Sequence, residues 1–401
     1  MCDVNNGEKN GAGLKTIPVG DAVGMVLAHD ITEIRKDEFK GRAFKKGHII
    51  KEEDINHLLR LGKENLYVLE ISPDEIHEND AAYTIANALA GDWVKLSGEP
   101  VEGKINLIAG KDGILKVDKD ALLQFNMLGD VMCATLHNNS LVKAGEVIAG
   151  TRAIPLVVKA AVVEEAVRIA NKARMPNSRY TIQHESSLAS FILHHTSGVI
   201  EVKELRKPKA GIVITGNEVY HGRIKDAFAP VIKKKIEALG GEIIGAYYAP
   251  DDESFIEARL RELIDAGADL LITTGGMSVD PDDVTRFAIR KLGATDMIYG
   301  SAVLPGSMFL VAYLERVKSS EFGVQGLSNS KLITQNSKLI PILGIPACGM
   351  YSKITIFDLI LPRVLAGEKI GRKELAELGH GGLCMTCEEC RYPLCPFGKG
   401  A

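Results

Sequence analysis

The stretch Thr273-Thr274-Gly275-Gly276-Met277-Ser278-Val279-Asp280-Pro281-Asp282-Asp283 gathers the residue types that hold phosphates and cations. The apolar run 268–273 reads as a buried strand that ends at Gly275-Gly276. A helix is expected to begin inside 278–283, with Asp280 as N-cap and Pro281 in the first helical position, where its missing N–H costs nothing. Amides exposed at a glycine turn and a helix N-terminus can hold an anion. The plainer reading is a tight turn before a well-capped helix, since turns use glycine for steric reasons. Asp282 and Asp283 suit the first turn of that helix. Capping does not use all three acids. One is left to hold a divalent cation beside a phosphate, because hard cations prefer carboxylate oxygens.

A second constellation lies near the C-terminus: Cys384, Cys387, Cys390 and Cys395, followed by Pro396. The other cysteines, Cys2, Cys133 and Cys348, are scattered. In a reducing compartment such a cluster reads as a metal site before it reads as disulfides. The first three spacings and the trailing proline are similar to a bacterial ferredoxin run, with the last interval one residue longer. An iron–sulfur cluster, a tetrahedral zinc and unmetallated thiols stay open. The segment reads as an appendage, 371–401, on a core that folds without it.

The elements that must position the first constellation alternate from Lys209 onward. Strands are expected at 210–215, 242–247, 268–273 and 340–345, and helices at 227–239, 254–266 and 351–365. Such alternation predicts an α/β fold, a mostly parallel sheet with helices on both faces. Ligands bind such sheets outside the carboxyl ends of the strands. The loops 216–226, 250–253, 274–283 and 346–350 all fall at that edge. Residues 316–338 read as a polar insertion between two strands.

Ahead of this domain, 208–370, the chain is expected to form smaller β-rich modules. These are a disordered N-terminus over 1–13, an α+β module over 14–75, a β-rich module over 76–158 and a helical connector over 159–207. Leu122–Asn126 and His137-Asn138-Asn139 could carry binding groups, though ordinary turn chemistry explains them. His184, His194 and His195 lack a third ligand at metal spacing and read as surface or packing residues.

The chain has 401 residues, 46% hydrophobic and 25% charged, with a net charge of −4. That balance offers no basic footprint for nucleic acid. No run approaches the apolar length of a membrane span, and the first residues lack a signal-peptide core. A cytoplasmic chain is expected. No Walker or dinucleotide fingerprint is present.

Several motifs in order resemble the molybdopterin-binding domain of the molybdopterin molybdenumtransferase family, the MoeA/gephyrin type, over about 209–370. Thr215-Gly216-Asn217-Glu218 is similar to T-G-[DN]-E, and Ile224-Lys225-Asp226 to I-x-D. Thr274-Gly275-Gly276-Met277-Ser278-Val279 is similar to S/T-G-G-V-S-V, and Asp283 and Thr285 match the acid and threonine that follow it. Pro305-Gly306 resembles the centre of K-P-G-K-P, and Gly344-Ile345-Pro346 the start of G-L-P-G-N-P. The resemblance implies binding of a pterin nucleotide and transfer of molybdate into its dithiolene, with Mg2+, in molybdenum cofactor biosynthesis.

On that basis Gly275, Gly276 and Ser278 would hold the pterin phosphate, and Glu218, Asp226 and Asp283 would contact metal, molybdate or the reacting phosphate. Thr215, Gly216, Thr274, Pro305, Gly306, Gly344 and Pro346 would line the same site. A homo-oligomer is implied, with molybdoenzymes or other cofactor-assembly proteins as partners. The chain departs from the pattern where the family's two lysines stand: here they are Leu304 and Ser307. Its front half lacks the M-D-G-Y-A stretch. The alternative reading is a non-catalytic molybdopterin carrier, or a sensor that uses the cysteines for redox input.

Overall fold

From Lys209 the chain lays down runs of β-branched and aliphatic residues too uniformly apolar for a one-sided strand. In the computed structural model these runs form the interior of one sheet. The structure describes residues 14–35, 39–69, 71–173, 198–277, 283–316 and 338–400. Two units divide the chain, Met1–Leu136 with Val142–Val202, and His137–Leu141 with Lys203–Ala401.

The second unit carries β1 (Lys209–Thr215), α1 (Phe228–Ala238), β2 (Glu242–Ala249), α2 (Glu253–Asp265), β3 (Leu270–Thr274), α3 (Thr285–Lys291), β4 (Thr295–Tyr299), β5 (Leu310–Arg316), β6 (Lys338–Ile345), α4 (Ile356–Leu365) and α5 (Arg372–Glu377). The sheet order is β2-β1-β3-β6-β5-β4. The first four strands are mutually parallel, and β5 and β4 are antiparallel to their neighbours. The fold is therefore α/β, with an antiparallel edge on the parallel sheet that the sequence pattern predicts.

Side-chain alternation along each strand feeds two cores. Ala210, Ile212 and Ile214 of β1 join Ile232 and Ile236 of α1 and Ile360 and Val364 of α4. Val213 of β1, Leu271 of β3 and Ile342 of β6 join Ile256, Leu260 and Leu263 of α2 and Ile289 of α3.

Two helix boundaries differ from expectation. The helix expected to start inside 278–283 begins at Thr285, after Val284, which makes no side-chain cap; Asp280 and Pro281 lie outside the described residues. The helix expected over 351–365 is two pieces, a single turn at Cys348–Tyr351 and α4. The break falls at Thr355, whose hydroxyl and whose amide bond to Phe357 and Asp358 respectively form a capping box. Lys235 Nζ lies 2.6 Å from both Asp358 oxygens and ties α1 to this cap.

The expected appendage is instead part of the second unit. Phe397 is only 4% exposed and sits in the core with Leu375 and Leu378. Leu304 N–H donates to the Gly382 carbonyl and Cys384 N–H to the Leu304 carbonyl, both at 2.8 Å.

In the first unit, an antiparallel sheet of Leu14–Pro18, Asn65–Leu69 and Val26–Leu27 packs with the helix Ile55–Arg60 around Leu27, Ile31, Leu58 and Val68. A four-stranded sheet follows, ordered Val131–Thr135, Val147–Ala153, Lys104–Ala109, Val94–Leu96. Helices Glu78–Leu89, Lys119–Asn126 and Ala160–Ala173 contribute to its core. The 122–126 stretch thus belongs to a helix. Its Asn126 amide bonds both backbone groups of Cys133, a structural use. Burial pushes the Cys133 thiol up to about 12. No helix among the described residues is long and apolar enough to cross a membrane.

Because Phe397 fills core volume, Phe397→Ala is expected to cost about 3–5 kcal/mol, and truncation after Glu377 should also lower the urea midpoint of the second unit. Equilibrium denaturation of both variants against the full chain checks this.

Candidate functional site at the sheet switch point

The chain leaves β1 for β2 on one side and returns to β3 on the other, so β1 and β3 flank the switch point of the sheet, where open α/β folds bind ligands. Thr215 ends β1, and its hydroxyl is the pivot of the two loops. It donates to the Thr274 carbonyl at 2.8 Å and lies 3.1 Å from the Thr285 hydroxyl. Thr285 in turn donates to the Gly275 carbonyl at 3.2 Å. Thr215, Thr274 and Thr285 are all buried.

The glycines follow from this crowding. A Cβ on Gly275 would lie 2.5 Å from the Thr215 carbonyl, and one on Gly276 would lie 2.3 Å from Thr285 Oγ1. Both residues have positive φ, 77° and 56°, a conformation glycine adopts without a Cβ penalty. Gly344, in β6, leaves room for the Met277 side chain, whose Cε would come 2.4 Å from its Cβ.

Gly216 starts a single helical turn, Asn217–Tyr220. The turn is locked to the loop after β2: Asn217 N–H donates to Asp251 Oδ2 at 3.0 Å, and Asp251 N–H to Asn217 Oδ1 at 3.3 Å. Glu218, in that turn, is exposed. Asp226 is half-buried and accepts the amides of Phe228 at 2.7 Å and Ala229 at 3.1 Å, which makes it the side-chain cap of α1. The Tyr248 hydroxyl adds a longer contact to Asp226 at 3.4 Å.

Asp283 is half-buried just ahead of α3. Burial raises the Tyr299 hydroxyl above the usual phenol range, the Arg286 charge pulls it down and the Asp283 charge raises it further. Tyr299 donates to the Met277 carbonyl. The Arg286 guanidinium stands 5.0 Å from the Phe287 ring centre and 5.6 Å from that of Tyr299, and its Nε has no hydrogen-bond partner among the described residues. The Thr274 hydroxyl is likewise buried and unpartnered there.

The structure therefore brings Thr215, Gly216, Glu218, Thr274, Gly275, Gly276, Gly344 and Pro346 to one edge, the carboxyl ends of β1, β3 and β6. Ser278 lies outside the described residues, as do His184, His194 and His195. Pro305 and Gly306 precede β5, which pairs Leu310 with Gly344, so they share that edge. Cys384, Cys387, Cys390 and Cys395 line a separate cavity bounded by Pro305 and the 351–354 segment. Among the described residues no three His, Cys, Asp or Glu side chains are grouped to hold a metal ion.

Sequence reading missed Asn217 with Asp251, and Arg286. A reciprocal Asn–Asp pair between loops 34 residues apart has no local signature. Arg286 stands three residues after Asp283, in the first turn of α3, and nothing local marks it as part of the site.

The chain matches known proteins in parts. Residues 211–366 match the family model described as "Probable molybdopterin binding domain", which spans almost all of β1 through α4. Residues 16–70 match "Domain of unknown function (DUF8806)". A CinA-like protein of Mycobacterium avium (strain 104) is 37% identical over 95 residues, 24% of this chain and 22% of that protein. One of Mycolicibacterium gilvum (strain PYR-GCK) is 42% identical over 89 residues, 21% of each. The chain thus spans about a fifth of the length of these curated relatives.

Among solved structures, the molybdopterin biosynthesis MoeA protein of Pyrococcus horikosii is 14% identical, over 89% of this chain and 75% of that one, with a TM-score of 0.28. The tungsten cofactor synthesizing protein MoaB of Pyrococcus furiosus is 17% identical, over 40% and 92%, also with a TM-score of 0.28.

If Asp226 serves only as the cap of α1, Asp226→Ala should cost about 0.5–2 kcal/mol in stability and leave ligand affinity at the strand ends unchanged. Denaturation curves and calorimetry on the same variant separate the cap from a catalytic role.

Proposed function

We propose that the second unit binds a phosphorylated, dithiolene-bearing pterin at the carboxyl ends of β1, β3 and β6. We further propose that the chain inserts molybdenum from molybdate into an adenylylated form of that pterin, in a Mg2+-dependent step that releases the nucleotide. The observation that carries the reading is the convergence of the Gly216, Gly275-Gly276 and Pro346 turns on the switch point, inside the segment that matches a molybdopterin-binding domain.

In this reading the turn amides meet the pterin phosphate, where positive backbone dipoles favour an anion. Arg286 supplies a cation beside the β3 loop. Mg2+ usually arrives with substrate phosphates and takes one or two protein carboxylates, not a full protein cage. The donor set fits that mode: Glu218 is exposed at the strand ends, Asp283 stands just ahead of α3, and Asp226 accepts the first amides of α1. When bound, the ion would neutralise phosphate charge during transfer. Glu218 and Asp283 would orient it, while Thr215 keeps the two loops in register.

One observation favours the carrier reading. Leu304 and Ser307 occupy the positions where the resembled family has lysines, and the Leu304 backbone is tied to the tail. Transfer between two anions needs cations at the transition state, and these positions provide none.

Calorimetry with the pterin–nucleotide adduct is expected to show binding that weakens in Gly276→Val, whose side chain has no room beside Thr285. With Mg2+ and molybdate added, nucleotide release should fall at least about tenfold in Glu218→Gln, equivalent to ~1.4 kcal/mol of barrier. Wild-type chain that binds the adduct but never releases nucleotide replaces the transferase with the carrier.

A further inference from the structure

We propose that Cys384, Cys387, Cys390 and Cys395 hold one thiolate-ligated metal centre, and that this centre fastens the C-terminal segment to the loop at Leu304–Gly306. The proposal is independent of the pterin reading.

The first ground is convergence. All four cysteines line the same cavity, of about 270 Å³, and all four are free thiols. Four thiols lining one cavity are the donor types of a soft, thiophilic ion.

The second ground is anchoring. Cys384 and Cys395 are half-buried and pack against the core, whereas Cys387 and Cys390 are exposed on the loop between them. Both ends of that loop are fixed. Cys384 N–H bonds the Leu304 carbonyl at 2.8 Å. Beyond Cys395, Phe397 is buried, and a Cβ on Gly398 would lie 2.4 Å from a methyl of Leu359. Two thiols on a fixed base and two on a surface loop describe a clasp. Since no three ligands are yet grouped for an ion, closing it means drawing Cys387 and Cys390 inward. The bound thiols release their protons to solvent as the ion enters.

The third ground is charge. Four thiolates around Zn2+, or around a doubly positive iron–sulfur core, leave a formal charge of about −2. Lys353 and Arg391 line the cavity with the thiols, while Glu388 and Glu389 of the same loop are exposed and outside its lining. The cavity lining thus carries positive residues and none of the loop's acids.

The consequence for the sheet edge is direct. Pro305 and the Ser352–Ile354 stretch line the same cavity. Pro305 O accepts the Ile356 amide at the start of α4, at 3.2 Å. A loaded clasp thus holds the two segments next to the carboxyl ends of β5's partner strand and α4's cap.

The test uses the full chain, purified anaerobically with reductant and then stripped with chelator. Titration with Co2+ alone is expected to give thiolate charge-transfer and tetrahedral d–d bands that saturate at one ion per chain. Both should be lost in the double variant Cys387→Ser/Cys390→Ser, whose exposed positions leave folding intact by circular dichroism. Amide exchange at Leu304 and Cys384 should slow several-fold on loading. Metal and acid-labile sulfide analysis of the unstripped chain names the native occupant, and either zinc or iron with sulfide supports the proposal. A chain that binds neither Co2+ nor an iron–sulfide centre, binding that survives in the double variant, or unchanged exchange on loading overturns it.

Discussion

The Thr215 hydroxyl lies where two neighbouring parallel strands end and their loops turn apart. It is buried, and its bonds to the Thr274 carbonyl and the Thr285 hydroxyl set how closely those loops approach. The rest of the edge follows. With the loops this close, Gly275 and Gly276 have no room for a side chain, and their positive φ angles turn the chain sharply after β3. Gly216 then directs the next turn toward Asp251, where the Asn217 pair closes the far side. A buried hydroxyl with satisfied partners costs little and specifies one arrangement, whereas the same groups left unpaired inside would each be unfavourable by about 1–3 kcal/mol.

The C-terminal segment extends the same logic to the other end of the edge. Backbone bonds between Leu304, Gly382 and Cys384, with Phe397 in the core, make the cysteine-rich stretch a wall of the domain. Burial of Tyr392 pushes its hydroxyl up to about 12, with Asp358 and Cys395 adding to the rise, so this wall has a dry side as well as a solvent side.

Much of the second unit was legible in the sequence because strands buried on both faces read as continuous apolar runs, and helices between them keep the 3.6-residue period. The glycine pair and the strand-end loops were legible for the same reason, since each follows a run that must stop at the sheet edge. Roles that depend on a partner were not. Asp226 matches a motif position whether its carboxylate faces solvent or caps α1, and only the Phe228 and Ala229 amides decide it. Thr355 breaks an otherwise unbroken helical pattern because Asp358 completes a capping box. Phe397 is a single aromatic beyond the last cysteine, and nothing local says that it reaches the core. Arg286 has no local signature either, since only the fold brings Tyr299 beside its guanidinium.

The antiparallel pairing of β5 and β6 runs to Arg316 opposite Lys338, which holds these two points of the chain side by side. Ring closure between two ends already held together depends on length only logarithmically, about 0.6 kcal/mol for each doubling. The distal end of this ladder is therefore a port: a foreign domain or an evolutionary elaboration could be spliced there without altering the strands, at the end of the sheet opposite the glycine turns.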